Sequence, residues 1–266
     1  MRRLVAGVAG NPIGHSLSPA IHRAWIAAAG LDADYRAFEP ADAADFDRLL
    51  DIGRAGELRG LNVTAPFKEQ ALARADEASL TASACGSANL LLFEAGRLRA
   101  DSTDGAGLLA ALSEQAPDLR LPGCTAVVLG AGGAARAAVA ALRDAGASVV
   151  VINRTRSRAE ALAADLGATV GGSGALAQAD LVVNALSATP DVDLAAVPAG
   201  AVLMDMTYRP LETAFLAAGR GRGLATVDGL AMLIGQARPS FEALFGVPPP
   251  PVDVRAVALA AMESAA

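Results

Sequence analysis

Residues 125–136 read TAVVLGAGGAAR, and this segment indicates the fold class because it has the pattern of a strand, a glycine turn and a helix. Its first part, residues 125–129, is an apolar run typical of a buried parallel strand. The Ala-rich residues 136–145 predict a helix. The turn between them contains Gly130, Ala131, Gly132, Gly133 and Ala134. Its glycines would let backbone N–H groups approach a pyrophosphate at the helix N-terminus. Glycine-rich turns also serve tight packing alone, but the strand–turn–helix context favours dinucleotide binding.

The end of the next predicted strand, residues 148–152, indicates which dinucleotide is bound. An NAD site usually places an acidic residue about 20 residues after the turn, on the ribose 2′-hydroxyl. Here the chain offers NRTRSR at residues 153–158. A guanidinium can hold a 2′-phosphate that a carboxylate would repel. The alternative is a solvated basic helix start, but the position favours NADP.

Strand and helix signals alternate along the whole chain. Further strands are predicted at residues 4–10, 34–39, 60–64, 181–183 and 202–204, with a hairpin from strands 89–93 and 98–100. Helices are predicted at residues 18–29, where Ser18 is a possible N-cap, and at 41–50, 104–112, 232–245 and 252–264. This alternation predicts an α/β protein with parallel βαβ units and a doubly wound sheet.

Composition excludes several functional classes. With 266 residues, 53% of them hydrophobic and 19% charged, the chain can bury the cores of two modest domains and is not of a disordered type. A net charge of −6 without a basic block gives no support to nucleic-acid binding. Cys85 and Cys124 form no CxxC pair and are expected to be buried in a protein of the reducing cytoplasm. Neither a secretory signal nor a membrane span is predicted, because the apolar runs are too short.

Three groups of polar residues in the first part of the chain follow a predicted strand or begin a helix, where site residues lie in open α/β sheets. They are HSLSP at 15–19, NVTAPFK at 62–68, and Asn89 with Asp104. Hydroxyls, amides and one Lys–Asp pair suit a small ligand with several hydroxyl groups and one carboxylate. Each residue taken alone has a structural explanation, such as capping a helix or fixing a turn.

Taken in order, the motifs are more specific than any one of them. They are SLSP (16–19), NVTAPFK (62–68), Asn89, STD (102–104), GAGGA (130–134), NRT (153–155), DMTYRP (205–210), DGLAML (228–233) and Gln236. This series resembles the shikimate dehydrogenase family from Gly7 to about Gly246. The resemblance implies an oxidoreductase that uses NADPH to reduce 3-dehydroshikimate reversibly to shikimate, in aromatic amino acid and chorismate biosynthesis.

The resemblance also implies residue roles. Ser16 and Ser18 would hold the substrate carboxylate, and Lys68 and Asp104 would be the catalytic pair. The hydroxyl groups of the substrate would be bound by Asn62, Thr64, Asn89, Asp104 and Gln236, with Tyr208 close by. The cofactor would be bound by Gly130, Ala131, Gly132, Gly133, Ala134, Asn153, Arg154, Thr155, Arg158, Met206 and Gly229.

The family fold implies two domains. Residues 1–104 would form the α/β substrate-binding and catalytic domain, completed by C-terminal helices at about 237–266, and residues 105–236 the Rossmann-type NADP-binding domain. Two departures stand out: Ser102 occupies the place of the family's Asn before Thr-Asp, and Leu186 the place of Thr in its NATS motif.

A lysine side chain is ordinarily protonated near neutral pH, so Lys68 could donate a proton during reduction, with Asp104 orienting it. No metal is expected, because the sequence offers no third ligand that would complete a metal site with His15 and His22. Alternatives are a quinate/shikimate dehydrogenase, an aminoshikimate-type enzyme and a catalytically inactive NADP sensor. The chain is expected to be a monomer or homodimer without a nucleic-acid or membrane partner.

Overall fold

The structure is a computed structural model that describes residues 3–264, and it divides into two compact units. The first contains the described residues up to Thr103 together with those from Ala237 onward, and the second is Asp104–Gln236. The first unit is therefore discontinuous in sequence.

The first unit is a mixed α/β layer structure whose strands alternate with helices. Its elements before Thr103 are β1 (Leu4–Ala9), α1 (Ser18–Ala28), β2 (Ala33–Phe38), α2 (Ala43–Arg54), β3 (Gly60–Val63), α3 (Lys68–Ala73), β4 (Glu77–Ala78), α4 (Leu80–Cys85), β5 (Leu90–Glu94) and β6 (Arg97–Asp101). The sheet order is β2-β1-β3-β5-β6-β4. Strand β1 pairs in parallel with both β2 and β3, whereas β5 runs antiparallel to β3 and β6. A core that includes Phe46, Leu61 and Leu91 packs against one face.

The second unit has a purely parallel sheet. Its elements are α5 (Asp104–Gln115), β7 (Thr125–Leu129), α6 (Gly133–Asp144), β8 (Ser148–Ile152), α7 (Arg156–Leu166), β9 (Thr169–Val170), β10 (Leu181–Asn184), β11 (Val202–Asp205), α8 (Ala214–Gly221) and β12 (Ala225–Val227). The order β12-β11-β10-β7-β8-β9 reverses direction between β7 and β10. This is the Rossmann order, and ligands bind such sheets at the point of reversal, beyond the carboxyl ends of the strands. The predicted doubly wound sheet is confirmed.

The chain ends in α9 (Gly229–Phe245) and α10 (Val254–Glu263). Helix α9 contains the boundary between Gln236 and Ala237, and α10 packs on α1 of the first unit. Both helices were predicted, although α9 begins three residues before the predicted start at 232. The elements that were not predicted include α3, α4, α7, α8, β4, β9 and β12.

The structure also tests the predictions for the two cysteines and for the start of α1. Cys85 and Cys124 are buried and do not take part in a disulfide, as expected. The prediction of Ser18 as an N-cap was wrong: the N-cap of α1 is Leu17, without a side-chain cap, and Ser18 lies inside the first turn. No helix within residues 3–264 is both long and apolar enough to cross a bilayer.

Candidate active site

The topology of the first sheet brings most of the predicted substrate residues to one edge. Because β1 and β3 are parallel, their carboxyl ends lie side by side, and the Thr64 N–H donates to the Ala9 carbonyl at 2.9 Å. Strand β5 is antiparallel to β3, so it starts at this edge, immediately after Asn89. The backbone of Lys68 reaches the same place, since its carbonyl accepts from the Ala88 N–H at 2.9 Å. The segment after β1 carries Ser16 and Ser18, and β6 ends just before Thr103.

The side chains at this edge form one hydrogen-bonded network. Asn89 and Thr103 are joined twice, by Asn89 Nδ2 donating to Thr103 Oγ1 at 3.0 Å and the Thr103 N–H donating to Asn89 Oδ1 at 2.7 Å. Thr103 Oγ1 lies 3.3 Å from Ser240 Oγ of α9, and Asn62 Nδ2 donates to the same Ser240 oxygen at 2.9 Å. The Tyr35 hydroxyl donates to Asn62 Oδ1 at 2.8 Å. The amides are therefore held in fixed orientations.

A cluster of buried aromatic rings packs around Tyr35, next to this network. His22 of α1 stacks on Tyr35 with ring centroids 4.1 Å apart, and Trp25 and Phe241 pack around it. Burial lowers the pKa of His22 to about 3, so the ring is neutral. Burial also raises the pKa of Tyr35 well above its ordinary value, partly opposed by a hydrogen bond with the Ser18 side chain. His22 thus acts as an apolar packing group.

The two residues predicted to form the catalytic pair each begin a helix. Lys68 is half-buried at the start of α3 in the first unit and is the only lysine of the chain. Asp104 is 4% exposed at the start of α5, in the second unit, and follows Thr103 directly in the chain. Ser16 Oγ accepts the Ser18 N–H at 3.3 Å, so Ser16 fixes the entry to α1.

The glycine turn between β7 and α6 leaves room for a pyrophosphate. Gly130 has a φ of +119°, which side-chain-bearing residues rarely adopt, and a Cβ there would lie 3.2 Å from Leu186 Cδ2. Gly132 caps α6 in an extended conformation, and a Cβ there would project into open space, with no atom within 4 Å. Helix α6 starts at Gly133, followed by Ala134, so the N–H groups of its first turn, which have no partner within the helix, lie at this turn. The turn therefore fits a dinucleotide.

The connection from β8 to α7 presents positive charge at the same edge of the second sheet. Asn153 Nδ2 donates to the Thr155 carbonyl at 2.9 Å, which fixes the turn before α7. Arg156 pairs with Glu160 on the same helix at 2.8 Å. Arg154 and Arg158 are exposed and form no ion pair among residues 3–264. Two unengaged guanidinium groups fit a phosphate on the adenosine ribose.

Beyond β10 and β11, a buried polar pair shapes the loops at the point of reversal. Asn184 Nδ2 donates to Asp205 Oδ2 at 3.1 Å, and Asp205 Oδ1 accepts the Thr207 N–H at 2.9 Å. Met206 is tied to β10 through its N–H and the Asn184 carbonyl at 3.0 Å. The departing residue Leu186 is exposed beside the glycine turn.

Three other predicted residues belong to the second unit. A Cβ on Gly229 would lie 2.5 Å from the Thr207 carbonyl oxygen, so only glycine allows this approach of α9 to the loop after β11. Tyr208 is partly exposed on that loop, and Gln236 is the last residue of the unit.

Sequence reasoning missed Tyr35 and Ser240, which hold Asn62 from two sides. The available signal was a polar residue on an apolar helix face, since Ser240 is followed by Phe241 and lies among the large side chains of α9. No group of three His, Cys, Asp or Glu in the described part of the chain could hold a metal ion.

Comparison with known proteins identifies the family. Residues 8–91 match the model of the shikimate dehydrogenase substrate binding domain, and residues 111–195 match that of shikimate/quinate 5-dehydrogenase. The chain belongs to the shikimate dehydrogenase family. It is 52% identical over 271 residues to the shikimate dehydrogenase (NADP(+)) of Caulobacter vibrioides, covering 96% of this chain and 95% of that protein.

Solved structures of the family agree with this assignment. Shikimate 5-dehydrogenase of Thermus thermophilus, in complex with NADP(H) and shikimate, superposes with a TM-score of 0.90 at 38% identity, covering 97% of this chain and 99% of that one. Quinate dehydrogenase of Corynebacterium glutamicum in complex with NAD gives 0.85 at 30% identity, covering 98% and 99%. The predicted family and two-domain Rossmann-type fold are confirmed.

Proposed function

We propose that this chain catalyses the reversible, NADPH-dependent reduction of 3-dehydroshikimate to shikimate. The observation that carries the proposal is the 52% identity to an NADP-dependent shikimate dehydrogenase over nearly the whole chain. The glycine turn and the unengaged arginines after β8 support NADP as the cofactor, since they offer a pyrophosphate cradle and a partner for a 2′-phosphate.

The two units would have different binding roles. The first unit would bind substrate, with Ser16 and Ser18 on its carboxylate and the amide and hydroxyl groups of Asn62, Thr64 and Asn89 on its hydroxyls. The clustering of these residues at one sheet edge supports this role. The second unit would bind NADP, with Met206 and Gly229 near the point of sheet reversal and Tyr208 and Gln236 contributing to the substrate site.

The proposed chemistry requires a hydride donor and a proton donor. Bound NADPH supplies the hydride. Lys68, the one lysine of the chain, would donate the proton to the substrate oxygen. Asp104 would orient that ammonium and accept from a substrate hydroxyl. The chain is further proposed to act in the cytoplasm as a monomer or homodimer.

Initial rates with four substrate–cofactor pairs test the activity. We expect oxidation of shikimate with NADP, and much slower reaction of quinate or of either substrate with NAD. Preferred oxidation of quinate with NAD would instead favour a quinate dehydrogenase, like the Corynebacterium relative. Absence of turnover with all four pairs would favour an NADP sensor.

The role of Lys68 is tested by Lys68→Ala and Lys68→Arg. Both should lower kcat by roughly 10²-fold or more, the scale of lost acid–base catalysis, because arginine keeps the charge but does not release a proton. The melting temperature and NADP affinity should stay near wild type, and small primary amines should partly restore the Ala variant. Near-normal turnover of either variant would remove Lys68 from the proton transfer.

A further inference from the structure

The amide of Asn62 is held from one side by Ser240 and from the other by Tyr35, two residues outside the family motifs. Its Nδ2 donates to Ser240 Oγ at 2.9 Å and to the Asn89 carbonyl at 3.2 Å. Its Oδ1 accepts from the Tyr35 hydroxyl at 2.8 Å.

These contacts fix which end of the amide is oxygen. A backbone carbonyl can only accept, so the Asn62 atom facing the Asn89 carbonyl must be the nitrogen. Both hydrogens of that nitrogen are then used inside the protein. The oxygen has two lone pairs, and within residues 3–264 only one of them receives a hydrogen bond. Asn62 can therefore offer a ligand one acceptor position and no donor.

Ser240 and Tyr35 are placed to keep that orientation. Ser240 is fully buried, and its hydroxyl also lies 3.3 Å from Thr103 Oγ1, so it links the ends of β3 and β6 at the site edge. Tyr35 is fully buried too, and the stacked neutral ring of His22 holds its position. Buried hydroxyls lose hydrogen bonds at a high cost, so each residue resists rotation of the amide.

We propose that Ser240 and Tyr35 are positioning residues that hold the Asn62 amide so that its oxygen accepts from a hydroxyl group of the substrate. This inference rests on the proposed function, because it assumes that the hydroxylated ligand is shikimate. It predicts that the two hydroxyls act on substrate affinity through Asn62 and not through general stability.

The test compares Ser240→Ala and Tyr35→Phe in the wild-type chain and in an Asn62→Ala background. In the wild-type chain, each change should raise the KM for shikimate roughly five- to tenfold, the scale of one hydrogen bond, while the KM for NADP stays unchanged. In the Asn62→Ala background, the same changes should lower kcat/KM for shikimate clearly less than in the wild-type chain, by about twofold or less, because only the contacts of Tyr35 with Ser18 and of Ser240 with Thr103 then remain. Ser87→Ala, which removes another buried hydroxyl outside this network, serves as the control and should leave KM unchanged.

Equal losses in both backgrounds would overturn the proposal, since the hydroxyls would then act through packing or through Ser18 and Thr103 and not through Asn62. An unchanged shikimate KM in both single variants of an active enzyme would overturn it as well, and would leave the proposed function intact. Shikimate binding to the wild-type chain, measured by calorimetry, separates the two questions. A wild-type chain that neither binds nor oxidises shikimate would overturn the proposed function and this inference together.

Discussion

At the scale of single residues, His22 shows how a titratable group becomes part of an apolar core. It is 1% exposed, and its ring lies among Tyr35, Trp25 and Phe241. Its Nδ1 has no hydrogen-bond partner in the described part of the chain. Because burial lowers its pKa to about 3, the folded chain disfavours the charged ring.

This lowered pKa links stability to pH. The unfolded chain takes up a proton on His22 below about pH 6.5, whereas the folded chain does not until about pH 3. Stability is therefore complete above pH 6.5 and falls as the pH drops toward 3. Because the unfolded chain is protonated at His22 and the folded chain is not, we expect the free energy of unfolding to fall by about 2 kcal/mol between pH 7.5 and pH 5.

The variant His22→Phe keeps a ring on Tyr35 and removes the titration. Its free energy of unfolding, measured by urea denaturation, should change much less between pH 7.5 and pH 5 than that of the wild type. His15→Gln, which alters the other histidine, exposed at the surface, should keep the wild-type slope. If the free energy of unfolding fell equally with pH in His22→Phe and in the wild type, His22 would not be the group whose protonation lowers the stability.

At the scale of elements, two positions of the turn between β7 and α6 are occupied by glycine for different physical reasons. Gly130 is needed by the backbone, since its φ is +119° and Leu186 and Ala185 crowd the place of a Cβ. Gly132 is not needed by the backbone, because its conformation is extended and its surroundings are open. Conformation explains the first glycine, and the open space beside the second fits its proposed role in binding the pyrophosphate.

The variants Gly130→Ala and Gly132→Ala should therefore differ. Gly130→Ala should lower the free energy of unfolding on the order of 1–3 kcal/mol through backbone strain. Gly132→Ala should change it by less than about 1 kcal/mol, the scale of an altered N-cap, yet raise the KM for NADP roughly tenfold because the methyl group enters the pyrophosphate space. Denaturation and steady-state kinetics measure the two effects, and an unchanged KM for NADP in Gly132→Ala would contradict the role of this turn.

Most of the long elements could be predicted from sequence because their signals are local, although helices α7 and α8 were not predicted. Strands β7 and β8 have the predicted bounds, since an uninterrupted apolar run marks each one. Helix α3 and strand β4 are too short to show a period, and their neighbours in space stabilise them. Ser240 shows a further limit: its partners Asn62 and Thr103 lie far away in sequence, so no spacing rule could reveal the contact.

At the scale of the whole molecule, the chain builds its first unit from two separate stretches. The last helices return to it: α10 packs on α1, and Ser240 of α9 joins the polar network at the edge of the first sheet. The proposed substrate residues of the first unit thus contact the carboxyl-terminal part of the chain. The glycine turn and the arginines after β8, which are proposed to bind the cofactor, lie in one continuous stretch.

This division predicts separate footprints for the two ligands in hydrogen–deuterium exchange of the intact chain. At saturating NADP, amides in residues 130–136 and 153–158 should exchange more slowly, by up to about 100-fold when the ligand is at 100 times its Kd. Shikimate alone should instead slow exchange in residues 62–68 and in α9 beyond Gln236, because its hydroxyls would bind residues that Ser240 supports. If NADP alone slowed residues 62–68 as strongly as residues 130–136, the assignment of NADP to the second unit would be wrong. Protection that failed to reach α9 with shikimate would mean that the returning helix is not coupled to substrate binding.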